Sequence, residues 1–430
     1  MSLLFGSVAD DFTGATDLAD TLVASGLGTI LLIGLPEDGK LPAEAAGASA
    51  VVFALKTRSI QASEAVRQSL AASRFLRSLG SQYLYFKYCS TFDSTSAGNI
   101  GPVADALLDD VGDDFTIFCP GFPKNGRRIF NGYLFVGPVL LSESGMQNHP
   151  LTPMTDPNLV RVLQAQTPHK VGLINFEAVR NGTAAIRAAI QKLRGEGVRH
   201  AIVDAIDEDE LAAIGTAAID ENLALTTGGS GLGGGIALRL HQSSHTGSEP
   251  AAQSFPKVDG PAAVIAGSCS RATLGQIDHF VKADRPLFRV EIDSLVAGKD
   301  RVIAKALDWA KPRLGSEPLL IAASESAAAV AQHQRAHGRE QIGHLIESTL
   351  SEIAHGLVEA GVRRLILAGG ETSSAAVERL GLRALRIGAT IDPGVPWTFS
   401  LGNDPLALAL KSGNFGASDF FTSAFNKLPK

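Results

Sequence analysis

The sequence predicts an α/β protein of two domains, each a mostly parallel sheet flanked by helices, with a ligand cleft between them. Three observations carry that expectation. Short apolar, β-rich runs recur with helical-period stretches between them, the alternation of βα units around a parallel sheet. The chain has 430 residues, more than one hydrophobic core ordinarily supports. One polar stretch, HQSSHTGSEPAAQSFP at residues 241–256, follows neither period and reads as an interdomain linker. The expected boundaries are residues 1–240 for an N-terminal domain and 257–430 for a C-terminal one.

In chain order, the strands of the first domain are expected in LLFGSVA, TILLIG, AVVFAL, YLYFKYC, FTIFCPG, VGLINF, AIVDAI and LALTTGG. The second domain resumes with AAVIAGS, LFRVEI, LLIAAS, LILAGG and WTFSLG, interleaved with Ala-rich helices such as the one around residues 347–359. No solenoid repeat interrupts the pattern.

Composition narrows the function classes. The apolar fraction is 45%, ample for packed cores, while the formal net charge is -6 and no long basic run occurs, which argues against a nucleic-acid partner. A small anionic substrate would need a local cationic site. Cys89, Cys119 and Cys269 are too scattered for a disulfide framework or a metal motif, so reduced thiols in a cytoplasmic protein are expected. The opening MSLLFGSVADD has no basic region and no later apolar run is long enough for a bilayer, so no membrane association is expected.

Open parallel sheets bind ligands at the carboxyl ends of their strands, which is where the polar residues of this chain cluster. Asp10 and Asp11 end the first strand. Paired carboxylates there suit proton abstraction from a hydroxyl or Mg²⁺ binding; alternatively Asp11 only caps the next helix and Asp10 is solvated. The next ends bring Lys56 and Arg58, then Lys87, Asp93, Ser94, Thr95 and Asn99. Arg58 and Lys87 suit the carboxylate of a sugar acid, the guanidinium by a two-bond grip and the ammonium as a point charge. CPGFPKNGRRIFNGYLFVG, with Lys124, Asn125, Gly126 and Arg127, and HPLTPMTDPNLVRVL form long loops at the same end, or rigid surface turns.

TTGGSGLGGG places Gly229, Gly231 and Gly234 in a GxGxxG spacing, which suggests a dinucleotide site. The run precedes the linker instead of opening an early βαβ unit, so an anion contact is the more economical role. In the second domain, glycine- and serine-rich loops follow three strands, at residues 267–273, 369–375 and 411–421. No GxxxxGK[ST] sequence occurs, so a phosphate site would rest on backbone amides and helix N-termini.

ADDFTGATD, KYCSTFDSTSAGNIGPV, PGFPKNGR, AGGETS and LKSGNFGASDFF, in that order along nearly the whole chain, resemble the four-carbon acid sugar kinase family. The resemblance implies an N-terminal sugar-acid domain, a C-terminal ATP domain, and Mg·ATP-dependent phosphorylation of a terminal hydroxyl. YCSTFDST is most similar to the branch acting on a 3-oxo acid. Erythronate- and threonate-type relatives carry an arginine where this chain has Ala97. Carried over by motif, Ser268, the stretch Gly369, Gly370, Glu371 and Thr372, and Gly413 would bind ATP. Asp10 or Asp11 would stand near the reacting hydroxyl, and Arg58, Lys87, Asp93, Ser94, Thr95, Asn99 and Arg127 near the acid. The expected partners are the sugar acid and ATP, with no nucleic acid or membrane; an oligomer is left open. The alternative within the family is a D-erythronate or threonate 4-kinase; a sugar-acid dehydrogenase using NAD and a non-catalytic sugar-acid sensor are the rival readings from other classes.

Overall fold

The computed structural model describes residues 3–36, 40–42, 45, 47–149, 152–243, 255–315, 317–324, 339–402 and 404–429. The chain divides into two compact units, Met1–Gln253 and Ser254–Lys430.

In the first unit, eight strands form one fully parallel sheet. They are β1 (Phe5–Ala9), β2 (Thr29–Ile33), β3 (Ala50–Ala54), β4 (Tyr83–Lys87), β5 (Thr116–Cys119), β9 (Val171–Ile174), β10 (His200–Val203) and β11 (Leu225–Gly228), in the order β2-β3-β1-β4-β11-β5-β10-β9. β1 to β5 are buried at every position, as apolar runs covered by helices on both faces must be. The crossover helices are α1 (Phe12–Ala24), α2 (Ala62–Ser78), α3 (Ile100–Val111), α4 (Leu159–Gln164), α5 (Phe176–Arg180), α6 (Thr183–Gly195), α7 (Glu208–Asp220) and α8 (Ser230–Ser243). The chain leaves β1 toward β2 and β3 on one side, then crosses to β4 on the other. That reversal is the point at which open α/β sheets form a ligand crevice. A small antiparallel sheet of β6 (Arg127–Phe130), β7 (Tyr133–Val136) and β8 (Val139–Leu140) projects after β5, where the sequence suggested only loops.

Helix α8 explains the glycine run. A Cβ on Gly229 would lie 2.8 Å from Pro120 O, one on Gly231 2.7 Å from Gly121 O, one on Gly234 2.7 Å from Thr21 Cγ2, and one on Gly235 would overlap Leu211 O. The missing side chains let α8 settle against α1, α7 and the loop after β5. Close packing accounts for the GxGxxG spacing. α8 runs on to Ser243, so residues 241–243 of the expected linker are helical, and residues 244–254 lie outside the described residues.

The second unit has a seven-stranded sheet in the order β13-β14-β12-β15-β18-β17-β16. Its strands are β12 (Ala262–Ala266), β13 (Leu287–Arg289), β14 (Leu319–Ala322), β15 (Arg364–Ala368), β16 (Ala384–Asp392), β17 (Val395–Ser400) and β18 (Ala407–Lys411), parallel except that β17 runs antiparallel to both β16 and β18. Its helices are α9 (Arg271–Lys282), α10 (Ile292–Ala297), α11 (Lys299–Ala310), α12 (Arg339–Glu359), α13 (Gly370–Arg379) and α14 (Phe420–Ser423). The order again reverses at the first strand, because β13 and β14 lie on one side of β12 and β15 on the other. Trp397 is fully buried in the core, its indole N–H donating to Ala424 O at 3.0 Å. Among the described residues, no helix is long and apolar enough to cross a membrane.

Candidate functional site

Register decides what meets at the carboxyl edge of the first sheet. Ala9 pairs with Ala54 and Lys87, Lys87 with Gly228, and Gly228 with Cys119. The residues after these strands are therefore neighbours in space. Asp11 caps α1, its Oδ1 accepting the Gly14 amide at 2.8 Å and its Oδ2 the Thr13 hydroxyl at 3.0 Å. Asp10 is buried and grips the Arg58 guanidinium, which donates from Nε at 3.0 Å and from Nη2 at 2.8 Å. The same Nη2 lies 2.9 Å from Asp11 Oδ1, and Nη1 lies 3.7 Å from Asp93 Oδ2. Burial pushes the Asp10 carboxyl above its ordinary range against the pull of Arg58. At Asp11 the push of burial is outweighed by Arg58, Lys87 and the two hydrogen bonds, which hold it below.

Several expected substrate ligands are engaged by the protein itself. Arg58 faces Asp10, Asp11 and Asp93, so it is not a guanidinium waiting for a carboxylate. Asn99 donates its amide to the carbonyls of Thr57 at 2.7 Å and Ile60 at 2.8 Å, stapling the loop that carries Arg58. Ser94 Oγ accepts from Gln166 Nε2 at 2.9 Å, and the Thr95 carbonyl accepts from the same nitrogen at 2.8 Å. Asp10, Arg58, Asp93, Ser94 and Asn99 line one cavity of about 10 Å³, room for a water and not for a four-carbon acid. This segment is also strained: Phe92, a buried aromatic, has φ of 64°, and Asp93 has φ of 21°. Ala97 is exposed.

Lys87 is buried at the same edge, its ammonium donating to Tyr88 O at 2.9 Å. A Cβ on Gly14 would lie 3.1 Å from Lys87 Nζ and collide with Asp11 Oδ1, so glycine is what lets the cation reach the first turn of α1. Beyond it, Asp17 Oδ1, Arg127 Nε and Asn125 Nδ2 are buried with no hydrogen-bond partner among the described residues. Such atoms are costly unless something pairs with them. Asp17 Oδ2 accepts from Ser230 Oγ at 2.6 Å, at the start of α8. Burial raises the Asp17 carboxyl to about 6, against the pull of Lys87, the Ser230 hydrogen bond and Arg127. Sequence reasoning missed Asp17, although it lies one turn past Gly14 in ADDFTGATD.

The second unit repeats the arrangement. Ala266 pairs with Ala322 and Ala368, and Ala368 with Lys411, so the loops after β12, β14, β15 and β18 share one edge. Ser268 is the meeting point of three of them, those after β12, β15 and β18. A Cβ on Gly413 would overlap Ser268 Oγ, and one on Gly369 would lie 3.2 Å from the Ser268 nitrogen. Gly369, with φ of +127°, caps α13, whose first turn holds Gly370, Glu371 and Thr372. Ser270 caps α9 through its hydroxyl. A cavity of about 300 Å³ lies against Gly267, Ser268, Cys269 and Gly369 to Thr372 on one side and Ile292, Ala323, Ile342 and Ile346 on the other, with Glu347 beside them. Its size, its apolar residues and the first turn of α13 in its lining suit a nucleotide. The apolar wall was not legible in the sequence. Cys269 lines this cavity, whereas burial pushes the Cys89 and Cys119 thiols up to about 12.

Family models match both halves: a sugar-binding N-terminal domain over residues 5–236 and a nucleotide-binding C-terminal domain over residues 263–421. The chain belongs to the four-carbon acid sugar kinase family. It is 52% identical over 426 residues to the 3-oxo-tetronate kinase of Burkholderia multivorans, covering 99% of this chain and 97% of that one. The 3-oxo-tetronate kinase of Haemophilus influenzae is 43% identical, with 98% and 99% covered. Among solved structures, a Salmonella typhimurium LT2 protein superposes with a TM-score of 0.85 at 41% identity, covering 99% of this chain and 100% of that one. The family's two domains coincide with the two sheets described above.

Proposed function

We propose that the protein transfers the γ-phosphoryl group of ATP to the terminal hydroxyl of 3-oxo-tetronate, giving the 4-phosphate. The observation that carries the reading is the meeting of three glycine-bearing loops on Ser268 beside a nucleotide-sized cavity. Full-length similarity to chains named 3-oxo-tetronate kinase supports it. Ser268, Gly369, Gly370, Glu371, Thr372 and Gly413 hold the phosphates, and Ile292, Ala323, Ile342 and Ile346 the base.

On the first domain, the acid's carboxylate pairs with Arg127 and Lys87. The buried Arg127 Nε, without a partner among the described residues, favours this over Arg58. Arg58 is instead a positioning residue, held by Asp10 and Asp93 and in turn orienting Asp11, the more exposed of the two strand-end carboxylates. Asp11 receives the hydroxyl proton. Little basicity is needed, since phosphoryl transfer asks mainly for alignment and charge neutralisation.

Mg²⁺ carried by nucleotide phosphates needs only one or two protein carboxylates. Glu347 and Glu371 line the cavity and fit that requirement. These two would hold the ion, which neutralises charge on the transferring group. Three cysteines without a disulfide and dependence on ATP suit a cytoplasmic enzyme.

A coupled assay of ADP release tests the reading, with 3-oxo-tetronate, D-erythronate, L-threonate and D-threonate compared at one ATP concentration. The highest kcat/KM is expected for the 3-oxo acid. Equal turnover of a reduced acid refutes the substrate; absorbance change with NAD and no ADP refutes the kinase.

A further inference from the structure

Lys411 ends β18 directly beneath the third loop and is fully buried. Its ammonium donates to the carbonyls of Ser412 at 3.0 Å, Gly413 at 3.1 Å and Phe415 at 3.0 Å, and lies 3.2 Å from the Thr273 hydroxyl. The Phe421 ring lies under it at 5.9 Å. Among the described residues no carboxylate reaches it: α9 presents Thr273 and Gln276, α14 presents Phe421, and Asp392 is occupied by the Ala417 amide and Lys427. A buried ammonium with only neutral partners is expensive to keep, so its position calls for a reason.

The loop supplies one. Gly413 O accepts from Ser270 Oγ at 2.5 Å and Thr273 Oγ1 at 2.9 Å as well as from Lys411, while Gln276 Nε2 takes the carbonyls of Phe415, Gly416 and Ala417. Across a planar trans peptide the C=O of one residue and the N–H of the next point in opposite directions. With the Ser412 and Gly413 carbonyls turned onto Lys411, the amides of Gly413 and Asn414 point away from it, and neither donates to an acceptor among the described residues. Loop amides aimed outward at a sheet edge form an anion-binding concavity.

We propose that Lys411 is a positioning residue for nucleotide binding, gathering the carbonyls of the 412–415 loop beneath it so that the Gly413 and Asn414 amides face the phosphates. This rests on the nucleotide reading of the second domain. Burial lowers the Lys411 ammonium to about 7, so the cage is charged below that pH and neutral above it. A neutral amine donates more weakly and the loop relaxes. Nucleotide affinity therefore falls as pH rises through about 7. Global stability moves the other way: between about 7 and the ordinary lysine range the unfolded chain binds the proton that the folded one has lost, so stability rises with pH. A merely structural lysine would not separate these two trends.

The test is calorimetric titration of the full-length protein with MgADP from pH 6 to 9, with thermal melting in parallel. The ligand's own phosphate ionises near 6 and would strengthen binding over this range, so it cannot mimic the effect. Roughly tenfold weaker binding at pH 8.5 than at pH 6.5, with an unchanged or higher Tm, is expected. Lys411→Met should bind about ten- to a hundredfold more weakly at pH 6.5 and lose the fall with rising pH, keeping only the ligand's own slight strengthening. Thr273→Val, which removes one tie to the loop, at Gly413 O, and one to Lys411 itself, should weaken binding without abolishing it. Affinity that stays flat with pH in the unmodified protein, or Lys411→Met binding as the unmodified protein does, overturns the proposal. If the unmodified protein binds no MgADP at any pH, the nucleotide reading falls and the proposal with it.

Discussion

Replacing Gly413 puts the nucleotide site under the most direct strain. A Cβ there would overlap Ser268 Oγ, lie 3.2 Å from Ser268 Cβ and 3.3 Å from Ser270 Oγ. Alanine can be accommodated only if the Ser268 hydroxyl rotates away or the third loop lifts off the first, and valine needs the loop to lift. Overpacking of this kind costs about 1–3 kcal/mol. Charged to the nucleotide-bound geometry, that is a rise of about fivefold to 150-fold in KM for ATP, with KM for the acid unchanged because its residues belong to the other domain. Steady-state kinetics with each substrate varied in turn reads the split, and a melt confirms folding. A second-site change sharpens the test. Ser268→Ala removes the overlapped oxygen and leaves a 3.2 Å approach to a methyl group, so Gly413→Ala should cost less in the Ser268→Ala background than alone, a coupling of roughly 0.5–3 kcal/mol. A folded Gly413→Val enzyme with unchanged KM for ATP, or additivity in the pair, would refute the packing argument.

Two further predictions concern the sugar-acid domain. Arg127→Met should lower kcat/KM for the acid by about 2–5 kcal/mol, the cost of truncating one partner of a buried charge pair, with KM for ATP little changed; near-normal acid kinetics would move the carboxylate elsewhere. Asp17 is raised to about 6 by burial, so the folded chain binds a proton that the unfolded one has lost between about 4 and 6, and its contribution to stability declines as pH rises through that window. Asp17→Asn should therefore raise stability at pH 7 by up to about 3 kcal/mol and have little effect at pH 4. Equal melting temperatures at pH 7 would show that the carboxylate is better solvated than its burial implies.

The buried parallel strands were legible because each is an apolar run, and their ends, where Asp10, Lys87, Ser268 and Gly369 lie, followed from that. β16 was not, since it carries exposed polar positions and Gly388. β18, ALALK, was signalled only by the glycine-bearing loop after it, because its composition is that of a helix and its neighbours β15 and β17 make it a strand. Side-chain roles were the least legible. Arg58 meets Asp10 across a 48-residue separation, and Asn99 meets Thr57 across 42, so only the pairing of β1, β3 and β4 reveals that both are engaged. The glycines of α8 misled for a related reason, since a spacing that suits a pyrophosphate also suits two helices in close contact.

That helix has a consequence for how the first domain assembles. With Gly231, Gly233, Gly234 and Gly235 in its first two turns, α8 forgoes roughly 4 kcal/mol of intrinsic propensity relative to alanine, and in isolation it would remain coil. It becomes a helix by docking where Leu18, Thr21 and Leu211 already stand to receive it. During synthesis it leaves the ribosome last among the helices of its domain, after both partners have had time to form. The segment that cannot fold alone is thus the one that never has to, and in refolding followed by pulsed hydrogen exchange its amides should be protected after those of α1 and α7.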